Sequence, residues 1–277
     1  MEPRTGLELA NDNAATHWSA MAGAQGWEIR TAEGYTAVRC EGDPGDSHRV
    51  VLTRRPADSV ALTRELLALF RDWETGSLCL EDPYGVLDLS GNGCERALAL
   101  PVMVRPADAP FAARGPDPDP ARGRYRDGDR DPVPVRTAEA LAEDELAELE
   151  RVVVDGFPVP ARMPLRRGRM FPAALRTVPG RRSWLARRGG EAAGACVSWD
   201  DGASVGLYWV AVLPEHRSHG VARALLEAAL RAHPQRAATL TATLLGEPLY
   251  RKLGFVEQGV STWWRYPATV VSSVGNR

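Results

Sequence analysis

Lysine is all but missing from this chain. Lys252 is the one lysine among 34 basic residues, the rest being arginine, a bias that a GC-rich, bacterial genome produces without reference to function. Cysteine is scarce too. Cys40, Cys79, Cys94 and Cys196 form no Cys-x-x-Cys pair, so neither a zinc site nor a disulfide scaffold is indicated, and reduced core thiols are expected. No His, Cys or acidic cluster suggests a metal. No apolar run is long enough to span a membrane, and Met1 to Asn13, with Glu2, Glu8 and Asp12, lacks the apolar core of a leader peptide. The expectation is a soluble cytoplasmic protein without a membrane partner. The net charge of -2 offers no bulk attraction to nucleic acid.

What is present is length and one informative stretch. The 277 residues suit one large or two small domains. From Leu207 to Leu213 the residues are aliphatic, aromatic or β-branched without a break, which predicts a strand buried on both faces. Pro214 ends it. Val221, Leu225, Leu226 and Ala229 then recur at helical spacing, so strand becomes helix between Arg217 and Ala222. The first turn of a helix leaves backbone N–H groups without partners, and its dipole adds positive charge there. Gly220 and the small Ala222 let a ligand come close, which makes the junction a candidate anion site.

Arg217-Ser-His-Gly220-Val-Ala222 fits an Arg/Gln-x-x-Gly-x-Gly/Ala signature. It follows a Val-x-Val-x-Pro strand end (Val210, Val212, Pro214) and precedes the block Leu249-Tyr-Arg-Lys-Leu-Gly-Phe255. With these three pieces residues 133–277 resemble the GCN5-related N-acetyltransferases, the GNAT superfamily. The resemblance implies an α/β fold of the mixed α+β type. It implies that Arg217, Ser218, His219, Gly220, Val221 and Ala222 hold the pyrophosphate of acetyl-CoA. It further implies that the strands Leu207 to Leu213 and Ala238 to Thr243 splay apart, so that backbone near Val210, Ala211 and Val212 pairs with the pantetheine arm. Tyr250 matches the tyrosine that protonates the departing thiolate in many members; it can also serve only to pack and to bond the cofactor sulfur. Leu244 replaces an asparagine common in the family, but Ala242-Thr-Leu-Leu-Gly-Glu-Pro-Leu-Tyr250 resembles the version in a bacterial branch. The general base is open among Glu247, His216, Asp200 and Asp201.

The first part of the chain reads as a worn copy of the same half-fold. Short strands are expected at 27–30, 35–40 and 48–53, then one helix from Asp58 or Ser59, then strands at 77–80 and 97–104. Where a phosphate loop would stand, Arg54-Arg-Pro-Ala-Asp-Ser59 has no glycine and carries an acid. Residues 1–106 are therefore expected to be a degenerate, non-catalytic GNAT-like domain packing against the second. Residues 107–132, rich in Pro, Gly, Asp and Arg, are expected to be a flexible linker.

Between Ala161 and Gly190 stand nine arginines and no acid. They balance the acidic helix expected before them, or they grip an anionic acceptor or partner. The expected function is acetyl-CoA-dependent N-acetyl transfer straight to a primary amine of a small molecule or peptide. The alternative is a non-catalytic acyl-CoA-binding regulatory module that engages an anionic partner. A homodimer stays open, and no nucleic-acid partner is expected.

Overall fold

The computed structural model describes residues 4–40, 48–73, 78–111, 133–157 and 163–266. Most of the expected linker at 107–132, together with Ser77 and Arg162, lies outside the described residues. None of the described helices is long and apolar enough to cross a membrane.

The first element is one that sequence reasoning missed. Helix α1 (Gly6–Gly23) opens on a capping box, in which the Thr5 hydroxyl accepts the Glu8 N–H at 3.1 Å and the Glu8 carboxylate accepts the Thr5 N–H at 2.9 Å. Its buried face carries Asn11, Asn13 and His17 rather than an apolar stripe, so periodicity did not reveal it. Among the described residues the region before Arg105 thus holds two α-helices where one was expected.

Then come β1 (Glu28–Ala32), β2 (Tyr35–Arg39), β3 (His48–Leu52), α2 (Ser59–Trp73), β4 (Leu78–Asp82) and β5 (Glu95–Arg105). The second part contributes β6 (Val135–Glu139), α3 (Glu143–Gly156), β7 (Arg181–Arg188), β8 (Glu191–Asp200) and β9 (Ser204–Val212). It ends with α4 (Val221–Arg231), β10 (Ala237–Thr241), α5 (Glu247–Lys252) and β11 (Val256–Tyr266).

All these strands join one sheet in the order β1-β2-β3-β4-β11-β5-β10-β9-β8-β7-β6. The order is nearly palindromic. A hairpin β1-β2 leads to β3, α2 and the parallel strand β4; a hairpin β7-β8 leads to β9, α4 and the parallel strand β10. At the centre β11 pairs with β4 and β5, while β5 pairs with β10. Each half therefore places its last strand beside the other half's parallel pair. The cores record the same exchange. Met103 of β5 is buried with Leu225, Leu240 and Phe255 under α4, and Trp264 of β11 is buried with Leu66, Phe70 and Leu80 under α2.

One strand of eleven residues, β11, crosses the centre. Where two bodies were expected to pack together, the halves share a sheet. The reason is long-range pairing: β11 finds its partners more than 150 positions back, which no local pattern records.

A candidate acyl-CoA site at a split in the sheet

The parallel strands β9 and β10 pair at three positions only, Ser204 with Ala237, Val205 with Ala238 and Gly206 with Thr239. Beyond Gly206 they part, as the resemblance implied. On its other edge β9 carries a bulge: Ala211 lies opposite Ala195 and Tyr208 opposite Val197, so Trp209 and Val210 together face Cys196. Trp209 takes a left-handed φ of 54° to make it. The edge of β9 from Leu207 to Val212 that faces β10 thus has no ladder partner among the described residues, and its backbone groups, apart from the Val212 carbonyl that accepts from Arg217, are open to an amide-bearing ligand. Val210 and Val212 are half-buried against the core under α4, while Ala211 is buried on the α3 side.

Two glycines hold this strand end between helices. A Cβ on Gly194 would stand 2.6 Å from Val221 Cγ1 and 2.8 Å from Leu225 Cδ1, so its absence lets α4 lie close on the sheet. A Cβ on Gly156, at the end of α3, would stand 3.1 Å from the Ala211 Cβ.

After β9, a turn at Pro214–His216 leads into the loop, where Ser218 and Gly220 take left-handed φ values of 62° and 76°. Arg217, Ser218, His219 and Gly220 are all exposed. Gly220 is the N-cap of α4, and the first helical bond runs from the Ala224 N–H to the Gly220 carbonyl at 3.0 Å. With no side-chain cap, the N–H groups of Val221 and Ala222 have no acceptor among the described residues. Arg217 plays a different part from its neighbours. Its Nε donates to the Val212 carbonyl and its Nη2 to the Gly156 carbonyl, each at 3.2 Å, so its side chain ties loop, strand and helix together.

The junction between β3 and α2 is built differently. There Asp58 is the N-cap, and its Oδ1 accepts the N–H groups of Val60 and Ala61, both at 2.9 Å. Of the two positions that α4 leaves open, the second, which Val60 holds in α2, is occupied there.

The family described as Acetyltransferase (GNAT) domain matches residues 179–257, a span that contains the hairpin, the split strands, the loop and the tyrosine block. Over that span the chain is similar to GNAT acetyltransferase domains. A solved structure described as a GCN5-related N-acetyltransferase from Kribbella flavida is 16% identical, with a TM-score of 0.60 over 91% of this chain and 95% of the other. A functionally unknown conserved protein from Staphylococcus epidermidis is 14% identical, with a TM-score of 0.62 over 86% and 93%. A tandem GNAT protein from the clavulanic acid biosynthesis pathway is 19% identical, with a TM-score of 0.52 over 83% and 77%. At such identities the likeness speaks for the fold, and it extends across both halves. No curated protein sequence matches the chain.

Within the matched span Tyr250 is buried, 7% exposed, with its ring edge-on to Phe255 at 5.9 Å. A Cβ on Gly246 would meet the ring at 2.7 Å, so that glycine makes the space the tyrosine uses. Burial, and secondarily the nearby Cys196 thiol, push the phenol pKa well above its ordinary value. Leu244 and Leu245, at the mouth of the β10-α5 loop, are 73% and 82% exposed.

The four acid-base candidates part company. Asp200 and Asp201 close the β8-β9 turn, at the end of β9 away from the loop. Asp200 accepts from the Gly202 N–H and Arg236, and Asp201 from the N–H groups of Ala203 and Ser204. Glu247 accepts from Arg251 Nε at 2.8 Å. His216 is buried beside the loop, its Nε2 4.0 Å from Glu191.

On the α3 side of the split, Trp209 stands edge-on to Phe157, Phe171 and, from α1, Trp18, at 6.3–6.4 Å. The arginine-rich segment meets acids in several places: Arg167 pairs with Asp144, Arg182 with Glu139 and Arg187 with Glu148. One acid escaped sequence reasoning. Glu150, 1% exposed, accepts the N–H groups of Gly168, Met170 and Phe171 and so shapes the loop between α3 and β7.

Proposed function

We propose that this protein transfers an acetyl group from acetyl-CoA directly to a primary amine of a small molecule or peptide. The observation that carries the reading is the conjunction of an uncapped α4 N-terminus with an unpaired β9 edge. The first suits a pyrophosphate, and the second suits the amides of a pantetheine arm. The N–H groups of Val221 and Ala222 would meet the phosphates, with Ser218, His219 and the bare Gly220 around them. Arg217 would act through its backbone ties, by fixing the loop.

In this reading the thioester lies at the bulge, where a backbone N–H of β9 near Val210 or Ala211 would hold the carbonyl oxygen as charge grows on it. A donor so placed is worth a few kcal/mol, about 2.7–4 in a well-studied case. The nitrogen of the neutral amine attacks the carbonyl carbon, and the C–S bond breaks. Tyr250 would give its proton to the departing sulfur, while the attacking nitrogen sheds one to water and the phenolate regains one from solvent; its raised pKa keeps the phenol protonated between turnovers. The aromatic wall of Trp209, Phe157, Phe171 and Trp18 would receive the acceptor, whose ammonium form is attracted to such ring faces before it is deprotonated. Trp18 belongs to α1, so the first half would shape the acceptor side without holding a cofactor of its own.

The test is release of free thiol when the protein is mixed with acetyl-CoA and a panel of primary amines. Thiol release that depends on one class of amine supports the reading. Binding of acetyl-CoA with no transfer to any amine favours an acyl-CoA-binding module instead.

A further inference from the structure

Away from the split in the sheet, a cavity of about 200 Å3 lies between the end of β6, the start of α3, the turn Ala173–Thr177 and the start of β7. One wall is apolar, formed by Ala140, Leu141 and Leu146. The other carries Arg176, Thr177, Arg181 and Ser183.

Arg181 is the unusual member. It is 8% exposed, yet among the described residues it has no acidic partner. Its Nη1 donates to the Ser183 hydroxyl at 2.8 Å, and its guanidinium carbon lies 5.3 Å from the centre of the Phe171 ring. Its Nε and Nη2 find no acceptor among the described residues and are themselves shut off from solvent, so a ligand in the cavity meets the guanidinium charge as a whole and not those two nitrogens. The carboxylate that lines the same cavity, Glu139, is held by Arg182 through Nε at 2.9 Å and Nη2 at 2.6 Å. A buried cation without a counter-ion is destabilising in itself. Burial lowers the Arg181 pKa only to about 10, so the charge persists at neutral pH. A lasting cation, a second arginine beside it and an apolar wall opposite form one recognisable chemistry.

We infer that this cavity binds a small aliphatic carboxylate, its charged end on Arg181 and Arg176 and its tail on Ala140, Leu141 and Leu146. The volume equals that of roughly six or seven waters, which admits an acid of the size of butyrate or hexanoate. The site is separate from the proposed transfer centre. Arg181 lies in the row of Trp199 and Gly206, about 10 Å across the strands and about 13 Å along them from Ala211. The inference therefore does not rest on the acetyl-CoA reading.

The experiment is thermal melting of the full chain against butyrate and hexanoate at constant ionic strength, with chloride as the control salt and no acetyl-CoA present. The wild type is expected to gain melting temperature with acid concentration, and more with hexanoate than with chloride. Arg181→Met is expected to lose that gain and, in buffer alone, to melt no lower than the wild type. Arg176→Gln changes an exposed side chain, so it should fold normally and need several-fold more acid for the same gain. No shift in the wild type, an equal shift with chloride, or a shift kept by Arg181→Met would each overturn the inference. A lower melting point of Arg181→Met in buffer alone would also count against it, because it would make the guanidinium a structural part.

Discussion

Asp58 and Gly220 hold equivalent places at the starts of α2 and α4, and only Gly220 leaves its helix open. Each is an N-cap whose carbonyl accepts the first helical bond, from Leu62 and from Ala224. Asp58 then turns its carboxylate onto the next two usable N–H groups, whereas Gly220 has nothing to turn. The two halves share strand order, but Asp58 binds two N–H groups at the start of α2, whereas no side chain does so at the start of α4.

Gly220→Asp should make α4 resemble α2. The new carboxylate would compete for the N–H groups and repel a pyrophosphate. Loss of acetyl-CoA binding is expected, with the melting temperature changed little, because the gain from a cap is offset by the cost of an L side chain at φ 76°. Calorimetric titration beside a melting curve checks both. Asp58→Ala should instead leave acetyl-CoA affinity unchanged and cost about 1 kcal/mol of stability.

Tyr250→Phe keeps the ring that packs on Gly246 and Phe255 and removes only the hydroxyl. Turnover should fall by about 10²-fold or more, with acetyl-CoA affinity retained. Because burial raises the phenol pKa, the neutral acid form is favoured, and the wild type should show no alkaline loss traceable to Tyr250 below about pH 10. Rate against pH for both proteins decides whether the phenol matters.

His17 gives stability a pH dependence of known sign. It is buried, stacks on Tyr208 at 3.8 Å, and neither ring nitrogen has a partner among the described residues. Burial, aided by Arg181 and Arg49, lowers its pKa from 6.5 to about 3. Between those values the unfolded chain takes up a proton that the folded chain refuses, so stability falls as pH drops from 6.5 towards 3 and is fully present above 6.5. The loss should reach a few kcal/mol at the acid end. Urea unfolding at several pH values should show a shallower acid slope for His17→Phe.

Gly194→Ala should act at a distance from any ligand. The added methyl would stand 2.6 Å from Val221 Cγ1 and push α4 off the sheet. A cost of about 1–3 kcal/mol is expected, together with weaker acetyl-CoA binding, since the N-terminus of α4 moves with the helix. Unchanged affinity in a destabilised variant would show that helix placement does not govern the site.

The features that could be read from sequence are those that local patterns specify. The continuous apolar run into Pro214, the glycine before Val221 and the stripe of α2 each arise within one turn or strand, and each stands in the structure as a strand end, a loop or a helix. The exchange of β5 and β11 was hidden because a strand's partners leave no trace in its own residues. Helix α1 was hidden by its polar buried face. There Asn13 meets the Tyr208 hydroxyl, the Ser204 side chain and two carbonyls, a set of contacts visible only in three dimensions. Arg217 shows the same at the loop, where a charge that invites a ligand on paper is spent on the backbone in the fold.

Calorimetric titration of acetyl-CoA into the full chain tests the central claim most directly. The account predicts one molecule bound per chain, with binding abolished in Gly220→Asp and intact in Asp58→Ala. Two molecules per chain, or undiminished affinity in Gly220→Asp, would contradict it.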